Sequence, residues 1–156
     1  MGTIHANNAR ETTIRLMDEP MNVPARMIPL LDLIVVTNRI YDRSRGLIRR
    51  VTQVAEVAGI EKDVVQLGEI FSFDMGSDQI KRTEYPILMT EELAEKCGIT
   101  KKRLNKEFLI RQKVLEYMIY KDVRDYNDVL SWFQRYHSNP KEIISKIKEN
   151  MSEENN

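Results

Sequence analysis

One cysteine and two histidines among 156 residues leave little room for several kinds of chemistry. Cys97 has no partner for a disulfide within the chain, which points to a reducing, intracellular setting. It precedes Gly98 at an expected helix end and reads as a small buried thiol. His5 and His137 are too few for a histidine-rich metal site. Basic and acidic residues balance at 24 each, so the formal net charge is zero. Neutralising phosphates supplies much of the affinity of nucleic-acid binders, and a chain without a basic excess is a poor candidate for that class. Long apolar runs are missing as well. The longest, residues 33–36, is far short of the ~18 residues of a membrane span and reads as a strand. The first residues show no basic segment followed by an apolar one, and Ala6 stands where a myristoylation signal needs Ser or Thr. The expectation is a cytosolic protein with no direct membrane insertion.

What is present suits a folded domain. At 42% hydrophobic and 31% charged residues the chain can bury a core and is not of disordered composition. Helix signals open the chain over residues 8–17, with Asn7 or Asn8 as N-cap, after an apolar strand end at residues 2–6. A short helix is expected over residues 23–28, with Pro24 at its first position and Pro29 ending it. Residues 33–40 read as a strand buried on both faces. A turn at residues 43–46 uses Gly46, and a second strand covers residues 47–58, with Val51, Ala55 and Val57 on one face. After a turn at 59–63, Val65, Leu67, Phe71 and Phe73 alternate with polar residues in a half-buried strand. A turn at 74–77 leads to a short exposed closing strand over 79–83.

From Thr90 the pattern becomes helical. Thr90 caps residues 91–97, and Gly98 closes that helix. Thr100 caps a long helix to about Tyr120 whose apolar stripe is Leu104, Phe108, Leu115, Met118 and Ile119. Asp125 caps a helix holding Val129, Leu130 and Phe133. Asn139 and Glu142 form a capping box around Pro140, opening a last helix along Ile143, Ile144 and Ile147. Residues 152–156 read as a polar, frayed tail.

Complete catalytic constellations are absent. The sequence has no phosphate loop with Gly-Lys-Ser/Thr, no dinucleotide fingerprint, no zinc-protease helix and no nucleophile elbow. Two features carry a signal. His5 lies at an expected strand end just before a helix, where phosphate-bearing ligands sit in open sheets, or it is simply a polar residue near a terminus. Arg39, Arg43, Arg45, Arg49 and Arg50 crowd one hairpin. They suit phosphate or an acidic surface across a subunit boundary, or they form a solvated tip balanced by Asp42 and Glu56.

The segment GTIHANNARET over residues 2–12 resembles the histidine box of the type II and type IV secretion ATPases, in their archaeal branch. MNVPARMIPL at 21–30, RGLIRRVTQVAE at 45–56 and VQLGEIFSFD at 65–74 follow in the order of that family. VLEYM at 114–118 and VRDYNDV at 123–129 are similar to its helical end. The resemblance implies an α/β fold, α+β within this stretch. Residues 1–86 would be the C-terminal portion of a RecA-like P-loop ATPase domain with antiparallel hairpins, residues 87–150 an α-helical subdomain, and 151–156 a disordered tail. It implies a histidine near the γ-phosphate of ATP, here His5, with Thr3 and Asn7 beside it in the cofactor site. It also implies a hexamer, with Arg45, Arg49 and Arg50 at a subunit interface, and a membrane platform protein as partner at the inner face of the membrane. The phosphate loop, aspartate box and Walker B segment of the family precede the histidine box, so the chain corresponds to the last third of such an ATPase. ATP and Mg²⁺ would then be held by the larger protein, and this stretch alone would neither hydrolyse ATP nor bind it tightly. The alternative is a non-catalytic adaptor that uses the helical half.

Overall fold

The computed structural model describes residues 1–153, with side chains through residue 148. The chain divides into two compact units, Met1–Leu93 and a second beginning at Ala94. The first contains α1 (Ala9–Met17), a 3-10 turn (Ala25–Leu30), β1 (Leu33–Asp42), β2 (Gly46–Glu61), β3 (Val64–Asp74) and β4 (Gln79–Arg82). The strands form one antiparallel sheet in the order β1-β2-β3-β4, and the protein is a mixed α+β structure.

Each reversal of this meander has a local cause. Asp42 accepts hydrogen bonds at Oδ1 from the backbone of Ser44 (2.9 Å) and Arg45 (2.8 Å), and Gly46 follows with φ +73°. Lys62 and Asp63 both have positive φ, the conformation whose twist matches a two-residue hairpin. That turn comes later than the pattern predicted, because β2 runs on to Glu61 through an irregularity at Gly59. Asp74 accepts from the backbone of Gly76 and the hydroxyl of Ser77 to make the third turn.

One face of the sheet carries the core. Ile34, Val36, Ala55 and Val57 pack with Ala9 of α1 and Ile28 of the 3-10 turn, flanked by Leu16, Met17 and Val23. β1 alternates accordingly: Ile34 and Val36 are buried while Leu33 and Val35 are exposed. Burial on both faces, expected from its Ile and Val content, does not occur, because α1 and the 3-10 turn cover one side only. Residues 2–6 form no strand, and β1 is an edge strand. The 23–28 segment becomes a 3-10 turn rather than an α-helix, with Pro29 inside it.

On the opposite face stands a buried charge. Glu56 is 3% exposed. Its Oε2 accepts from the backbone N–H of Leu88 (2.9 Å) and its Oε1 from that of Met89, the first residue of α2 (Met89–Lys96). A carboxylate at a helix start satisfies orphan donors and meets the positive end of the dipole. Sequence reasoning gave this cap to Thr90, whose hydroxyl instead donates to the carbonyl of Ile87 (2.7 Å), and gave Glu56 to the arginine hairpin, which it does not reach. Glu56 lies opposite Gly68 in the β2–β3 ladder, and the ring of Tyr85 covers that glycine. The Tyr85 hydroxyl is buried with no hydrogen-bond partner among the described residues. Burial and the nearby Glu56 carboxylate push its pKa up.

The second unit holds α3 (Lys101–Tyr120), α4 (Tyr126–Ser138) and α5 (Pro140–Glu153). Thr100, Asp125 and Asn139 cap them as expected, and Asn139 Nδ2 donates to Glu142 (3.0 Å) in the capping box. The core is Val114, Tyr117, Met118, Ile143 and Ile147, packed by Trp132 and Tyr136, with the Tyr117 and Trp132 rings 5.7 Å apart. The predicted α3 stripe is therefore corrected. Leu104 and Met118 are buried, but Phe108, Leu115 and Ile119 are 40%, 46% and 77% exposed. Val114 and Tyr117 take their place because Val114 lies one helical turn before Tyr117 and Met118 on the same face. Leu130 and Phe133 of α4 are also exposed, and Cys97 is exposed rather than buried. Residues 151–153 continue α5; residues 154–156, the rest of the expected tail, lie outside the described residues.

A Cβ at position 68 would sit 1.8 Å from Cζ of Tyr85. Gly68→Ala should therefore displace that ring and destabilise the sheet unit by about 1–3 kcal/mol. In chemical denaturation, adding Tyr85→Ala should recover part of the loss; a full-strength Gly68→Ala variant would rule this packing out.

Candidate functional site

The residues before α1 are fastened to the sheet by side chains. The β1–β2 register shifts between Val36 and Thr37, which leaves Thr52 of β2 without a strand partner. The Asn38 amide donates to the Thr52 hydroxyl (2.8 Å) and to the carbonyl of Asn7 (3.2 Å). Next along β2, Gln53 accepts from the backbone N–H of Ala9 (2.8 Å) and donates to Glu69 (2.8 Å). Asn8 caps α1 by accepting from the Glu11 N–H (2.8 Å). Glu11 reaches back to the N–H and the amide of Asn7, at 2.9 and 2.8 Å, and also holds Arg15. The Asn7 N–H and the Arg15 guanidinium lower the pKa of Glu11.

Beside this anchored segment lies an open groove of about 750 Å³ lined by His5, Ala6, Asn7, Arg15, Thr37, Asn38 and Arg39. Of the residues singled out by the histidine motif, His5 and Asn7 meet here. Thr3 lines a neighbouring cleft of about 340 Å³ with Ile4 and residues 33–37 of β1. Arg15, Asn38 and Arg39 belong to the groove, and sequence reasoning had not joined them to His5. Arg39 stood out only as part of the hairpin cluster, and nothing in the sequence signals Arg15. The groove presents cations suited to phosphate oxygens but no carboxylate to hold Mg²⁺. Among the described residues no group of three or more His, Cys, Asp or Glu side chains is placed to bind a metal ion.

The arginine hairpin separates into two kinds of residue. Arg50 makes a bidentate pair with Asp78, both contacts at 3.0 Å. Arg45 bridges Asp42 (3.0 Å) and the same Asp78 (2.8 Å). Asp78, in the β3–β4 turn, is thus the counter-charge that joins two hairpin ends. Arg45 and the hydrogen bonds of Ser44 hold the Asp42 carboxyl well below the usual range, and Arg50 with Arg45 lowers that of Asp78 to about 2. The guanidinium pKa values of Arg45 and Arg50 rise in return. Arg39, Arg43 and Arg49 have no carboxylate partner among the described residues. Arg39 and Arg49 are direct partners in the β1–β2 register.

No protein-family model matches the chain. Similar proteins occur in the archaeon Methanocaldococcus jannaschii. Uncharacterized protein MJ0781 is 32% identical over 149 residues, which cover 94% of this chain and 20% of that protein. Uncharacterized protein MJ0900 is 29% identical over 83% of this chain and 24% of its own length. Uncharacterized protein MJ1287 is 27% identical, with 74% of this chain and 43% of that protein covered. The chain spans about a fifth of the first relative and a quarter of the second. No helix among the described residues is long and apolar enough to cross a membrane.

The depressed aspartates make the hairpin clamp acid-sensitive. Its contribution to stability is complete above the ordinary aspartate pKa of ~3.9 and is lost as pH falls through the Asp78 value of about 2. Thermal unfolding of the sheet unit should weaken between those limits, and Asp78→Asn should flatten that part of the profile. An unchanged profile in Asp78→Asn would assign the acid response to other carboxylates.

Proposed function

We propose that the chain is the C-terminal part of a hexameric ATPase that powers archaeal filament assembly or protein secretion. In this reading the four-stranded sheet belongs to a RecA-like domain and the helical unit is its C-terminal subdomain. The observation that carries it is the anchored GTIHAN segment, which presents His5 with Arg15 and Arg39 on one polar groove. The two guanidinium groups suit the charge of a γ-phosphate, with the imidazole beside them. The relatives support a larger parent, since the chain covers only part of each.

ATP and Mg²⁺ enter through the larger protein, because this chain has no phosphate loop and no acidic Mg²⁺ ligands in the groove. When bound, they supply the reacting phosphoryl group and its charge neutralisation. The residues here would orient and sense: Asn38 and Gln53 fix the loop, and the His5 imidazole would be placed to meet a phosphate in the groove. Arg49 is the member of the Arg45, Arg49 and Arg50 set that has no carboxylate partner among the described residues, and it suits contact with a neighbouring subunit. The helical unit would meet a membrane platform protein at the cytoplasmic face, with no role for nucleic acid.

A second reading, a non-catalytic adaptor, draws on the exposed Phe108, Leu115 and Ile119 of α3 and Phe133 of α4, apolar side chains of the kind that protein partners cover.

In the longer protein containing this stretch, His5→Ala should lower kcat for ATP by about 10²-fold with KM little changed. The isolated chain should show no turnover. Mg²⁺-dependent turnover by the isolated chain, or no turnover by the longer protein, would overturn the assignment, and full activity of His5→Ala would remove His5 from the reaction. Binding of the helical unit to a partner irrespective of ATP, with no turnover in the longer protein, would favour the adaptor.

A further inference from the structure

The groove beside the histidine motif gathers charge that neither sequence feature contains alone. His5, Arg15 and Arg39 line it, and no carboxylate does. Arg15 is held from one side by Glu11, with a shortest contact of 2.6 Å. Arg39 has no acidic partner among the described residues, and the residue directly opposite it on β2 is Arg49, also without one. Like charges facing each other across an antiparallel pair are destabilising. The same hairpin shows the usual remedy close by, where Arg45 and Arg50 share Asp78. Arg39 lacks that remedy at the position where it enters the groove.

An anion in the groove would relieve the repulsion and take charge-assisted hydrogen bonds from guanidinium forks. Asn7 and Asn38 are committed to internal bonds and shape the walls without adding negative charge. We infer that this groove binds a chain of phosphates and that Arg39 is a phosphate ligand beside His5. The ligand class is a polyphosphate, free or carried by a nucleotide. The inference deepens the His5 reading and rests on it for the owner of the phosphates; the anion site itself follows from the groove. It carries a stability signature: Arg39 is kept at a cost to the free chain, so removing it should stabilise the protein while weakening the ligand.

The test is a nuclear magnetic resonance titration of the 156-residue chain, without Mg²⁺, using sodium tripolyphosphate and ATP in parallel. Saturable shifts at His5, Asn7 and Arg39 are expected, with Kd on the order of 1 mM. Arg39→Ala should weaken tripolyphosphate about tenfold and raise Tm, while Arg26→Ala, an exposed arginine outside the groove, should change neither. Equal affinity for the two probes would identify the phosphate chain as the whole ligand, and tighter ATP would add the nucleoside; both support the site. Absent shifts, or equal weakening by Arg26→Ala and Arg39→Ala, would overturn it. So would a lower Tm for Arg39→Ala with binding intact. Phosphate binding here with normal turnover of His5→Ala in the longer protein would retain the site and reject the role of His5 in turnover. Loss of that turnover with no phosphate binding would do the reverse.

Discussion

Between Val36 and Thr37 the β1–β2 ladder slips by one residue, and Thr52 is left without a partner. The polar anchors beside the candidate site gather at that slip. Thr52 turns its hydroxyl to Asn38, and Asn38 then reaches the carbonyl of Asn7. The next residue, Gln53, supplies an acceptor for the first N–H of α1, a donor that a helix cannot satisfy internally. In a regular ladder these polar side chains would alternate between faces with no reason to meet the segment before α1. The bulge turns them into anchors, and the segment that carries His5 needs no strand pairing of its own to be held.

Charge follows the same logic of pairing and its absence. Asp78 ties Arg45 and Arg50 into a clamp between two hairpin ends, which makes these arginines structural in the free chain. Arg39 and Arg49 face each other with no carboxylate partner among the described residues. Exposed pairs contribute little to stability individually, but the contrast within one hairpin distinguishes arginines already occupied from arginines available to a ligand or a neighbour. The buried carboxylate of Glu56 solves a different problem. It sits on the face of the sheet opposite α1 and accepts hydrogen bonds from the backbone of Leu88 and Met89, so the chain leaving β4 is led back across the sheet with Tyr85 over Gly68. Burying an ion is tolerable only when its hydrogen bonds are made, and here a helix start makes them.

Much of the fold is determined by local sequence. The capping residues Asn8, Thr100, Asp125 and Asn139 mark their helices because a side-chain oxygen satisfies donors two or three residues away. The hairpins follow from Asp42, Gly46 and Asp74, whose turn chemistry is equally short-ranged, and His5 and Asn7 were legible as a motif in one contiguous run. The tertiary structure decided whatever depends on distance along the chain: that β1 is covered on one face, that Val114 and Tyr117 rather than Phe108 and Leu115 form the α3 core, and that Glu56 rather than Thr90 caps α2. It also decided that Asp78, 28 residues from Arg50, neutralises the hairpin, and that Arg15 and Arg39 join His5 on one groove. Local patterns report which bonds a residue can make with its neighbours. Only the packed sheet determines which distant groups come within reach, because a register shift of one residue reverses the face on which a side chain lies.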